Sequence, residues 1–201
     1  MIFRSNQGDN SNGDKRMGVM EVSGPCVFQV VGYKNTGKTT LICRLIEAFK
    51  AGGYRVGTIK HDGHDFRMDT PGTDTWKQRA AGADMVAITS AYQTAMIRSG
   101  PAELQELIDR MREADVILVE GFKAEHYPKI VLLKEPAHLE LLDAVSRPLA
   151  AVCWYEREDA EGGATIEQAK VPRFLIDDVD GISRLLLAIV HTNGQQRGER
   201  R

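Results

Sequence analysis

Aromatic side chains are scarce in this 201-residue chain, at 6%, and cysteine is scarcer, with three. Cys26, Cys43 and Cys153 are odd in number and lack CxxC or zinc-type spacing. That excludes a disulfide framework and fits a reduced, cytoplasmic setting. Neither sign of charge dominates: 26 Lys and Arg stand against 28 Asp and Glu, a net charge of −2. No electrostatic excess therefore argues for nucleic acid or an anionic membrane as partner. Apolar runs are short, six residues in Leu185–Val190, where a membrane span needs about 20. The N-terminal stretch has no apolar core followed by a cleavage site, so no signal peptide is expected.

What remains is ordinary globular composition, 42% hydrophobic and 27% charged. Residues 1–24, rich in Gly, Asn, Ser and Asp, read as a disordered leader, and the polar stretch 193–201 as a disordered, solvated tail. One nucleotide-binding domain is expected between them, over 25–192. Apolar runs suited to buried strands occur at Val27–Val31, Arg55–Lys60, Met85–Thr89, Gln93–Arg98, Asp115–Glu120, Lys129–Lys134 and Leu149–Trp154. Helical stripes lie between them. Leu41, Leu45, Ile46 and Phe49 mark a helix over 38–51 that Gly52-Gly53 stops. Leu104, Leu107, Ile108 and Met111 mark one over 101–112, entered through Pro101. Ile182, Leu185, Leu186 and Ile189 mark a closing helix. The alternation predicts an α/β fold with a mostly parallel sheet between two helical layers.

Gly32-Tyr33-Lys34-Asn35-Thr36-Gly37-Lys38-Thr39 fits G-x-x-x-x-G-K-[ST] between a strand and a helix. Glycines let backbone N–H groups turn inward around a phosphate, and the helix N-terminus aims its dipole at the same anion. Lys38 reaches the β and γ phosphates, and the Thr39 hydroxyl suits Mg²⁺. A P-loop also needs an acid for the metal's water shell, at the end of a neighbouring apolar strand. Glu120 fits, unless it only caps its strand in solvent, and Asp62 is the second candidate. Asp115, at the strand's other end, reads as structural. Lys60 to Phe66 follows the second strand and so faces the phosphates. His61 and His64 alone make a weak zinc signal, and phosphate or partner contact suits them better. No N/T-K-x-D element reads a guanine base. Arg67, Arg79 and Arg98 are either lid arginines of a small-molecule kinase or ligase, or plain salt-bridge partners. Trp76, with Phe66 and Met68, is either an interface anchor or core.

Four segments together resemble a known family: GYKNTGKTTL at 32–41, TIKHDGHDFRMDTPGTDTWKQRAAGA at 58–83, DVILVEGFK at 115–123 and YPKIVLL at 127–133. They are similar to the molybdopterin-guanine dinucleotide biosynthesis adaptor proteins of the MobB type. The resemblance implies a three-layer P-loop NTPase, usually dimeric, that binds GTP with Mg²⁺ and hydrolyses it slowly at most. It implies a partner, the guanylyltransferase that joins GMP to molybdopterin, and leaves open contact with molybdopterin itself. By position, Gly32 to Thr40, including Thr40, would hold phosphates. Lys60, His61, Asp62 and Gly63 would line the nucleotide pocket, with Glu120 beside the metal. Two positions depart from the family. Thr73 stands where a Lys is usual after Pro-Gly, and Trp154-Tyr155-Glu156-Arg157 stands where a base-binding loop is expected.

Overall fold

The computed structural model describes residues 24–156 and 170–198. Six strands form one sheet: β1 (Cys26–Gly32), β2 (Val56–Lys60), β5 (Val116–Glu120), β6 (Lys129–Leu133), β7 (Pro148–Cys153) and β8 (Arg173–Leu175). The order is β2-β5-β1-β6-β7-β8, and every pairing is parallel. The expected α/β class is therefore present. Parallel strands need crossovers, which put helices on both faces and make the strands apolar throughout.

Alternation along β1 and β5 splits the core. Phe28, Val30 and Leu118 face α1 (Lys38–Ala51) and the closing helix α5 (Val179–Gly198), meeting Leu41, Leu45, Phe49, Ile182 and Leu186. Ile117 and Val119 face α3 (Leu104–Arg110) through Leu104 and Ile108. Val31, Val131 and Leu133 face a 3-10 turn (Pro136–Leu139) and α4 (Glu140–Ala144) through Leu139, Leu141 and Leu142. Three layers result, and each fully buried Leu, Ile or Phe contributes about 1.5–3 kcal/mol.

Several expectations need correction. Helix α3 does not start at Pro101. It starts at Leu104 behind an extended Glu103, because the Arg98 guanidinium grips both the Pro101 carbonyl and Glu106. The runs at 85–98 are strands but not part of the main sheet: β3 (Met85–Thr89) and β4 (Thr94–Arg98) form a separate antiparallel ribbon. Helix α2 (Asp74–Ala80), set on a Thr73 cap, has no buried residue and so no stripe to announce it. Strand β8, three residues long, was below the resolution of periodicity. Helix α5 continues to Gly198, past the boundary drawn at 192. The leader over 1–23 lies outside the described residues.

Candidate functional site

Strand β1 delivers Gly32 to the top of the sheet, and the chain then wraps through Tyr33–Gly37 into α1. A Cβ on Gly32 would lie 2.7 Å from the Thr36 hydroxyl and 3.1 Å from the Leu132 carbonyl, so only glycine allows the loop to close. Thr36 Oγ1 donates to the Tyr33 carbonyl at 2.9 Å, and Gly37 takes φ 88°. Gly37 precedes α1 with no side-chain cap, which leaves the first N–H groups of a 14-residue helix for an anion. The Lys38 ammonium crosses the loop and donates to the Tyr33 carbonyl at 2.7 Å.

Strand β5 carries the acid to the same place, since Glu120 is in register with Val30 on one side and Lys60 on the other. The Glu120 side chain is nearly buried. Thr39 Oγ1 donates to its Oε2 at 2.9 Å, and Lys60 Nζ lies 3.7 Å from Oε1. Glu120 is thus tied to the phosphate loop and is not a solvent cap. Burial lowers the Lys38 pKa, Lys123 and Lys60 add like-charge repulsion, and Glu120 opposes them. Lys38 thus feels two other ammonium groups and one carboxylate, a local positive excess suited to an anion.

Asp62 is placed differently. It is exposed, and its Oδ1 accepts from the His64 backbone N–H at 3.2 Å within its own loop. The His61 ring lies tilted by 58° against Phe122, ring centroids 4.7 Å apart, and its backbone N–H donates to the Glu120 carbonyl. Among the described residues, no group of three or more His, Cys, Asp or Glu is arranged to hold a metal. Gly63, His64, Lys34, Asn35 and Thr40 are exposed around the loop. Arg79 and Arg98 lie against Asp69 and Glu106, and Asp115 is gripped by Arg55 at the far end of the sheet. Trp76 is 40% exposed on α2 and is not core.

Other contributors went unmarked in the sequence. Gln29 is fully buried in β1. Its amide donates to the carbonyls of Gly121 and Phe122, at 3.1 and 2.7 Å, and its Oε1 accepts from the Tyr127 N–H. A polar residue inside an apolar strand run was the available signal. The amide fixes the turn after Glu120, where Gly121 and Phe122 both have positive φ, 93° and 53°. Buried Lys129 ties down the rest of that connection through the carbonyls of Glu125 and Tyr127 and the Ser146 hydroxyl. Lys134 Nζ donates to the Asn35 carbonyl, and Trp154 Nε1 to the Thr36 carbonyl.

Comparison with known proteins agrees with this geometry. The family model described as "Molybdopterin guanine dinucleotide synthesis protein B" matches residues 27–154. A probable molybdopterin-guanine dinucleotide biosynthesis adapter protein of Bacillus subtilis is 36% identical over 156 residues, 76% of this chain and 86% of that protein. The Escherichia coli adapter protein of that name is 44% identical over 111 residues, 52% of this chain and 63% of that protein. The crystal structure of Bacillus subtilis MobB superposes with TM-score 0.65 at 32% identity, covering 81% of this chain and 96% of that one. A glycine-closed phosphate loop, an acid bonded to its threonine, and a family match that runs through the parallel sheet from β1 to β7 place this chain in the MobB family.

Proposed function

We propose that this protein is a GTP-binding adaptor in the biosynthesis of the molybdopterin guanine dinucleotide cofactor, acting on the guanylyltransferase that attaches GMP to molybdopterin. The observation that carries the reading is the junction of phosphate loop and strand-end acid, Thr39 Oγ1 to Glu120 Oε2 at 2.9 Å, in a chain of this family. The donor set fits Mg²⁺: a hydroxyl and a carboxylate are hard oxygen ligands, and Mg²⁺ keeps most of its waters. Thr39 would ligate the ion and Glu120 would orient its water shell, while the ion neutralises phosphate charge. Lys38 would turn from the Tyr33 carbonyl to the phosphates. We read hydrolysis as slow at most, in keeping with an adaptor that acts by contact with a partner.

An adaptor acts through its surface. Phe66 and Met68 are 68% and 82% exposed in the loop that leaves β2, and Trp76 follows them on α2. Trp and Met are enriched at interface cores, so this face suits the partner enzyme. The ribbon β3–β4 carries exposed Met85 and Met96 on one face and Ile88 on the other. A two-stranded ribbon is marginal alone, and a second copy of this chain would cover it in a cytoplasmic homodimer.

The test is association with purified guanylyltransferase, followed by size exclusion with and without GTP and Mg²⁺. Complex formation that depends on the nucleotide supports the reading. No GTP binding by calorimetry, or no complex under either condition, overturns it.

A further inference from the structure

We propose that Trp154 is the stacking platform for the purine base, an inference that rests on the nucleotide-binding reading above. The strand order sets the direction of a bound nucleotide. Glu120 and Lys60 lie on β5 and β2, to one side of β1, and would hold the metal and the terminal phosphate. The nucleoside end then leaves on the other side of β1, towards the carboxyl ends of β6 and β7. Trp154 is the first residue after β7, and Lys134 the first after β6.

Both residues reach back to the phosphate loop. Trp154 Nε1 donates to the Thr36 carbonyl at 2.9 Å, and Lys134 Nζ donates to the Asn35 carbonyl at 3.4 Å. One edge of the indole lies so close that a Cβ on Gly37 would meet it at 3.1 Å. The ring is therefore pinned at its pyrrole N–H and against the loop, while the residue remains 47% exposed. The Lys134 ammonium lies over the ring at 5.6 Å from its centroid, a cation–π pair that further limits its rotation. A large, half-exposed aromatic held rigid at the edge of a phosphate site loses little entropy when a base stacks on it. Stacking tolerates any base with a π face, so the platform serves guanine and adenine alike.

The experiment uses the full chain and three probes, GTP, ATP and inorganic tripolyphosphate, each with Mg²⁺, by calorimetry. Trp154→Phe keeps an aromatic face and loses the N–H donor, whereas Trp154→Leu loses both. Going from Phe to Leu should weaken GTP and ATP by a common factor of roughly 5- to 150-fold, the range that base–aromatic stacking contributes. Tripolyphosphate, which has no base, should bind the two variants alike. Equal losses for tripolyphosphate and GTP would reduce Trp154 to a tether of the loop and overturn the proposal. Unchanged GTP affinity in Trp154→Leu would overturn it as well. A wild-type chain that binds none of the three probes removes the nucleotide reading and this subsite with it. Binding that persists with no Phe-to-Leu difference removes the subsite alone.

Discussion

Replacing Gln29 by Leu tests whether the acid is positioned from inside the sheet. The side chain is fully buried and makes three hydrogen bonds across the connection from β5 to β6. At about 0.5–1.5 kcal/mol net each, these contribute roughly 1.5–4.5 kcal/mol. The Gly121 and Phe122 carbonyls and the Tyr127 N–H lose their partner, which adds a desolvation penalty. Burial of the leucine side chain returns part of it. The expected net loss is about 3 kcal/mol, or about 6–12 °C in Tm for a chain of this size. The damage should also be directional. Phe122 has φ 53°, a conformation that carries strain of about 1–3 kcal/mol and persists only where the surroundings enforce it. With the amide gone, the turn relaxes and Glu120, one residue before it, shifts away from Thr39. Urea unfolding should therefore show the stability loss, and calorimetry below the transition should show a weaker Mg²⁺ effect on GTP binding. A stability change under about 1 kcal/mol, with the Mg²⁺ effect intact, would refute the claim that Gln29 holds the site.

Glu120→Gln preserves shape but removes the charge that orients the metal's waters, so Mg²⁺ should tighten GTP binding less while metal-free binding holds; an unchanged response in calorimetry would disqualify Glu120. Lys38 must be protonated to hold phosphate, and burial together with Lys123 and Lys60 lowers its pKa, so affinity should fall at lower pH than for an ordinary lysine. Lys123→Gln removes one repulsion and raises that pKa. The alkaline fall-off should move to higher pH, even though affinity at neutral pH drops, and a fall-off that stays put in pH-dependent titrations would contradict the charge assignment. Trp76→Ala should leave thermal stability nearly unchanged, since α2 buries nothing, while weakening the partner complex by about 2 kcal/mol or more. A large drop in Tm would show that Trp76 packs as core after all.

The parts of the fold that announce themselves are those with a single strong cause. Buried parallel strands must be apolar along their whole length, which made Val116–Val119 and Ile130–Leu133 plain in the sequence. The phosphate loop was legible because closing it demands glycine at position 32 and a lysine and threonine at fixed offsets. Helix α2 was hidden because a seven-residue helix that buries nothing leaves no period to read. The true start of α3 was hidden because a side-chain contact, Arg98 on the Pro101 carbonyl and Glu106, competes with the preference of proline for a first helical turn, and hydrophobic periodicity does not report such contacts. The separation of β3–β4 from the main sheet left no local trace, since pairing partners are a property of topology. Trp154 stands out in the sequence only as a departure from the base-binding loop that the family resemblance implies. Its bond to Thr36 crosses 118 residues of chain, which no local pattern encodes.

The central position of β1 also bears on how the chain is made. Both of its neighbours come much later: Gln29 pairs beside Val119 on one side and Lys129 on the other. From Gly32 to Leu133 the ribosome must add 101 further residues before β1 has both partners (133 − 32). At about 5–20 residues per second that is a wait of roughly 5–20 s. Through that interval the segment Val27–Val31 is an unpaired strand, the kind of exposure that holdase chaperones relieve. The phosphate loop, near the N-terminus in sequence, thus hangs from a strand that gains its second neighbour only when β6 has been made.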